Sequence, residues 1–229
     1  MASERTAEEV EREYLAKLGP KLGALFWHLR NEATWLNWTW HEFTTLFGAT
    51  RSRIELLNGA APAFFRVAQD SLWEGTLLHV SRLTDPPQSV GKGNLTLRRL
   101  PDYVAPEIRP RVQTLLDAVL EKAEFARDWR KRHIAHRDLA LVMDRQAIPL
   151  AQASRLRVNE VIRAINDLLN CIDGHYRHAE TYFESGFVTG NAESLLYVLR
   201  DGLEVEERRQ QRLEAGKPLP EDVAPRPAV

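Results

Sequence analysis

Two runs of apolar residues step through the sequence at alternating intervals of four and three. The first follows Gly19-Pro20 and takes Leu22, Phe26, Leu29, Ala33, Leu36, Trp40, Phe43 and Phe47, closing at Gly48. The second takes Val158, Ile162, Ile165, Leu169, Ile172, Tyr176, Ala179 and Phe183, with Ser154 placed to cap its start. This spacing returns side chains to one face of an α-helix, so each run predicts a long helix with a continuous buried stripe. Pro20 suits a first helical position, whose N–H has no partner inside the helix. A stripe must be covered by another, and two of matched length predict an all-α helical bundle.

The rest of the chain is helical in period as well. Stretches at about 60–84, around Phe65, Ala68, Leu72 and Leu83, and at about 106–139, through Ile108, Val112, Leu115 and Val119, predict further helices. Shorter ones are expected at 4–18 and 94–101, the latter capped by Asn94. A loop from Asp85-Pro86-Pro87 through Gly91-Lys92-Gly93 separates the second of these units from NLTLRRL, and no strand pattern is found. Beyond Asn191 a last helix keeps apolar residues to about Val205. It continues as EERRQQRLE, a solvated half in which Glu204 and Arg208 stand at pairing distance in sequence. The expected organisation is one helical domain over 1–215 and a disordered tail over 216–229, where GKPLPEDVAPRPAV carries four prolines.

Composition works by exclusion. With 31 basic and 32 acidic side chains in 229 residues the formal charge is −1, so no global field draws in nucleic acid or anionic lipid, and a polyanion site has to be local. The single cysteine, Cys171, excludes an intrachain disulfide, has no partners at zinc-ligand spacing, and reads as a reduced core thiol. No stretch approaches the roughly 18 apolar residues that span a bilayer. The expectation is a soluble cytoplasmic protein with no membrane partner. No glycine-rich phosphate loop, GxSxG elbow or HExxH pair occurs, and neither a cofactor nor a bound metal is expected.

One segment concentrates chemistry. Residues 127–138, RDWRKRHIAHRD, set Arg127, Arg130, Lys131, Arg132 and Arg137 against Asp128 and Asp138, with His133 and His136 between them. Imidazole titrates near neutrality and can move the proton of a ribose 2′-hydroxyl or of a leaving oxygen, while guanidinium can hold the charge that develops on phosphoryl oxygens. This set can therefore cleave a phosphodiester without a metal. Elsewhere Asp70 and Glu74 stand between Arg66 and Arg82 and read as helix ion pairs.

The bare spacing proves little, since 25 Arg and 7 His in 229 positions give about two Arg-to-His pairs of this kind by chance. Two overlapping readings exist, Arg130 with His136 and Arg127 with His133. Six residues on a regular helix leave either pair about 120° apart. Convergence needs a kink, a long side chain reaching round, or a second copy across a two-fold axis. A plainer reading competes: Phe125, Trp129, His136 and Leu139 share one helical stripe, which would make His136 a core histidine and the arginines a solvated face.

In order along the chain, SLWEGTLLHVSRLTDPP, NLTLRRL and WRKRHIAHRD, with its IAH-x-D ending, resemble the HEPN superfamily, and within it the abortive-infection proteins of the AbiU type. The resemblance extends over roughly residues 15–200. It implies an all-α bundle that forms a homodimer through the motif helices, and a composite cleft that cuts RNA without metal to a 2′,3′-cyclic phosphate. It also implies a toxin or phage-defence effector, with an antitoxin protein as a further partner. Matched residue by residue, the family arginine falls on Arg130 and its histidine on His136. Arg127, Asp128, Lys131, Arg132, His133 and Arg137 are then the assisting or RNA-binding candidates. Family members usually carry Asn or another small polar residue after the arginine, whereas this chain has Lys131. That departure, with the near-neutral charge, supports the alternative of a non-catalytic HEPN module that binds nucleotide or a partner protein.

Overall fold

The computed structural model describes residues 5–48, 50–144, 146–183 and 190–225. In chain order the helices are α1 (Ala7–Leu18), α2 (Pro20–Phe47), α3 (Arg51–Ala60) and α4 (Pro62–Leu83). A minimal hairpin follows, β1 (Gln88–Ser89) and β2 (Lys92–Gly93), then a 3-10 turn at Leu97–Arg99, α5 (Leu100–Tyr103), α6 (Arg109–Lys122) and α7 (Glu124–Trp129). A π turn at Arg130–Ile134 leads to α8 (Leu139–Met143), α9 (Arg155–Arg177), α10 (Ala192–Glu214) and α11 (Pro220–Val223). The described residues are all-α apart from the two-residue strands. Their turn places Val90 and Gly91 at φ 49° and 76°, the positive pair that a tight hairpin of this hand requires. No helix among the described residues is long and apolar enough to cross a membrane.

The chain divides into two compact units, Met1–Trp40 with Leu72–Gly186, and His41–Ser71 with Phe187–Val229. In the first, Leu22, Phe26, Leu29, Ala33, Leu36 and Trp40 are all buried, as are Val158, Ile162, Ile165, Leu169 and Ile172 of α9. The first run of apolar residues ends on Leu46 rather than Phe47, which is only half-buried. α9 starts at the predicted Ser154 cap and stops at Arg177, where His178 turns left-handed at φ 53°. The expected continuation through Ala179 and Phe183 therefore lies beyond the helix. Polar side chains register the two stripes: the amides of Asn37 and Asn166 exchange two hydrogen bonds at 3.0 Å, and Trp40 Nε1 donates to Asn159 Oδ1 at 2.6 Å. α6 packs on α9 through Val112, Leu116 and Val119. At the α1–α2 corner a Cβ on Gly23 would lie 2.6 Å from the Tyr14 carbonyl oxygen, so only glycine permits this approach.

In the second unit α10 packs on α3 and starts at the Asn191 cap, and its Ala192 N–H is accepted by the Glu42 carboxylate at 2.6 Å. Its outer half is exposed. Arg208 donates to the Glu204 carbonyl, not to its carboxylate as expected from spacing. Within the Pro-rich end, Asp222 of α11 accepts from Arg212 at 2.6 and 2.8 Å, and the Arg209 guanidinium donates to its carbonyl. The arginine beside it pulls the Asp222 carboxyl down to about 2.

Candidate functional site

The basic segment lies where the helical hydrogen-bond ladder changes pitch, within the first unit. α6 and α7 are separated only by Ala123, but at Arg130 the ladder widens. The Ala135 N–H donates to the Arg130 carbonyl at 2.9 Å, a bond spanning five residues instead of four, and the Asp138 N–H reaches back to the Arg132 carbonyl. The expected helix over 106–139 starts at Arg109 and is three pieces: it breaks at Ala123, where ψ is −3°, and at Arg130 the α ladder gives way to the π turn. Asp138 then caps α8, its carboxylate accepting from the Ala140 N–H at 3.0 Å.

Side chains rather than burial hold this broken segment. Arg132 donates to Asp128 at 3.4 Å, to Asp138 at 3.3 Å and to the carbonyls of Ile148 and Pro149. The Asp128 carboxylate accepts from the Ala151 N–H at 2.8 Å, and Trp129 Nε1 donates to the Ala151 carbonyl. The Arg132 guanidinium also holds the Asp138 carboxyl below the usual carboxylate range. Arg132 and Asp128 thus fasten the following loop to the motif.

Arg130 points the other way. Its Nη1 lies 2.5 and 2.6 Å from the two carboxylate oxygens of Asp85, at the end of α4, and a third of its side chain is exposed. Arg127 stands near the same carboxylate: one nitrogen donates to the Leu120 carbonyl and Nη1 is buried without a partner. Burial lowers its pKa, Arg98 lowers it further, and Glu124 and Asp85 oppose this. Asp85 also borders a cleft of about 180 Å³ that Glu32, Arg82, Leu83, Asn94 and Leu95 complete.

The two imidazoles differ. His133 is half-buried, edge-on to Trp129 at 5.3 Å between centroids, with Nε2 3.5 Å from the Glu74 carboxylate. His136 is exposed and has no hydrogen bond or ion pair among the described residues. The shared stripe expected for Phe125, Trp129, His136 and Leu139 does not form. Phe125 is 1% exposed but Leu139 is 74% exposed, since the helix ends with the π turn at Ile134, His136 lies in the non-helical link, and Leu139 starts a separate helix. The core-histidine reading of His136 falls with it. Lys131 and Arg137 are likewise exposed without partners. Beside them Leu139, Val142, Met143 and Ile148 form a run of apolar side chains 62–79% exposed.

Among the described residues no group of three or more His, Cys, Asp or Glu gathers as a metal would need, and Cys171 is a free, half-buried thiol. Asp70 pairs with Arg66 at 3.0 Å as expected, but Glu74 faces His133 and Arg82 pairs with Glu32. From the sequence, Glu74 reads only as a helix ion-pair partner, and neither Asp85 nor Arg98 reads as a site residue. The available signal was spacing: Glu74 and Asp85 are eleven residues apart, three helical turns, and so fall on one side of α4 and its end. The cap expected at Asn94 is Thr96, which accepts from the Arg98 N–H.

Comparison with curated proteins and with solved structures finds no match. A family model does match, that of AbiU2 among the HEPN domains, over residues 19–191 and hence more than half of the chain. The match takes in α2, the Asp85 turn, the basic segment and all of α9. The chain belongs to the AbiU2 family of HEPN domains.

Proposed function

We propose that this chain is a metal-independent endoribonuclease of the abortive-infection type, with Arg130 and His136 as its catalytic pair. The observation that carries the reading is the state of these two side chains. Among the described residues Arg130 is gripped at one nitrogen only and solvent-facing His136 has no partner, so both have unused hydrogen-bonding capacity beside exposed Lys131 and Arg137. In the reaction a ribose 2′-oxygen attacks the adjacent phosphorus and the 5′-oxygen leaves, giving a 2′,3′-cyclic phosphate. An imidazole takes the 2′-hydroxyl proton or supplies one to the leaving oxygen, and the Arg130 guanidinium meets the charge that grows on the phosphoryl oxygens. Arg127 and His133 assist, and Lys131 and Arg137 bind RNA backbone.

The active species in this reading is a homodimer. Leu139, Val142, Met143 and Ile148 supply an apolar patch next to the motif, and a two-fold axis through it sets one copy's Arg130 and His136 near the other's. An antitoxin protein that covers the same face would silence it. The second reading, a HEPN module that binds nucleotide or protein without cutting, is favoured by exposed Lys131 at the position where the family carries a small polar side chain.

The test is cleavage of structured and unstructured RNA by purified protein in EDTA at pH 6–8, with the oligomeric state measured alongside. The expected result is fragments ending in a 2′,3′-cyclic phosphate, produced by wild type and not by His136→Ala. Intact RNA from a verified dimer would overturn the reading.

A further inference from the structure

We propose that Asp85 is the positioning residue of the site, fixing the Arg130 guanidinium so that its unoccupied edge faces the phosphate. This role rests on the ribonuclease reading. A guanidinium has five N–H donors on three nitrogens, and the edge formed by Nε and Nη2 is the fork that matches two oxygens of a phosphate. Both Asp85 oxygens converge on Nη1, at 2.5 and 2.6 Å, and neither Nε nor Nη2 has a partner among the described residues. The grip therefore spends one corner of the group and leaves the fork open. A long arginine on a widened turn has many rotamers, and tying one nitrogen to a fixed carboxylate removes most of that freedom before substrate arrives.

The carboxylate itself is fixed. Fully buried Thr96 brings Oγ1 to 2.7 Å from the Asp85 carbonyl and 3.0 Å from the Leu83 carbonyl, and Arg98 Nε donates to the Thr84 carbonyl at 2.9 Å. The turn that carries Asp85 is thus clamped on both sides of the residue by the Thr96–Arg98 segment. The charge around the site is mixed, since Arg98 repels Arg127 while Glu124 and Asp85 both attract it.

The test compares wild type with Asp85→Ala and Asp85→Asn in steady-state RNA cleavage, with ¹⁵N NMR of the Arg130 side chain as a readout independent of catalysis. Asp85→Ala is expected to lower kcat by about a hundredfold with KM changed far less, the scale of a misplaced catalytic group. Asp85→Asn, which keeps one acceptor for Nη1, recovers to within about tenfold of wild type. In wild type, hindered rotation gives the two Arg130 Nη groups separate signals, and these merge in Asp85→Ala. A kcat unchanged in Asp85→Ala, or Nη signals that stay separate without the carboxylate, overturns the positioning role and leaves the nuclease reading standing. A wild type that leaves RNA intact overturns the nuclease reading, and the positioning role with it.

Discussion

α9 and the segment from Glu124 to Met143 are nearly equal in length and are built in opposite ways. Eight apolar side chains of α9, from Val158 to Ile172, are buried, and its ladder runs unbroken from the Ser154 cap to Arg177. In the motif segment only Phe125 and Ala126 are buried, and the ladder passes from α to π to a second short helix. Of these two segments, the buried one is the regular one. Where the stripe is lost, geometry is set by discrete polar ties to distant residues, Asp85 on Arg130 and the 148–151 loop on Arg132 and Asp128. Such ties can hold a widened turn in place and still present its remaining groups to a ligand.

Substitutions that act on one region and not the other sharpen this contrast. The largest effect is expected from Ile165→Ala, a fully buried residue at the middle of α9, at about 2–5 kcal/mol of global stability by denaturant unfolding. Arg132→Ala removes charged hydrogen bonds from a mostly buried side chain, for an expected loss of about 1–3 kcal/mol. Its signature is local, with faster amide exchange at 148–151 and α9 protection unchanged. An equal acceleration in α9 would mean that the two regions are not built separately.

A pH titration separates them more finely. Arg132 lowers the Asp138 carboxyl in the folded state, so the charged form favours the fold. The α8 cap is complete above the ordinary carboxylate value near 3.8 and is lost as pH falls through the lowered one. The protection factor at Ala140, its exchange corrected for the intrinsic rate at each pH, should therefore fall on acidification, and Asp138→Asn should abolish that dependence. Met143→Ser sits at the small end: its side chain is 75% exposed, so monomer stability should shift by less than about 0.5 kcal/mol. If the proposed homodimer forms through this patch, light scattering should nevertheless register its weakening, and an unaltered mass would remove the patch from the proposed interface.

The same contrast decides what was legible in the sequence. Stripes from Leu22 to Phe43 and from Val158 to Ile172 can be read directly because burial imposes their period, and caps such as Ser154 and Asn191 announce themselves locally. The π turn leaves no periodic trace, so the periodicity puts His136 and Leu139 on a face that they do not share with Phe125. Asp85 lies 45 residues from Arg130, and no local pattern links a residue in a proline loop to a guanidinium in another helix. Glu74 was read through its neighbours on α4, although its partner His133 comes from elsewhere. Arg127 to Asp138 stood out as a chemical cluster through composition alone, while the division of labour inside it, Arg132 inward and Lys131, His136 and Arg137 outward, appears only with the fold.

The most direct test of the central claim is growth on induced expression of wild type, Arg130→Ala, His133→Ala and His136→Ala at matched soluble levels, with total RNA examined for fragments. The account predicts arrest with RNA cleavage for wild type, loss of both in Arg130→Ala and His136→Ala, and at most a partial loss in His133→Ala. Arrest and cleavage that persist in Arg130→Ala and His136→Ala would contradict it.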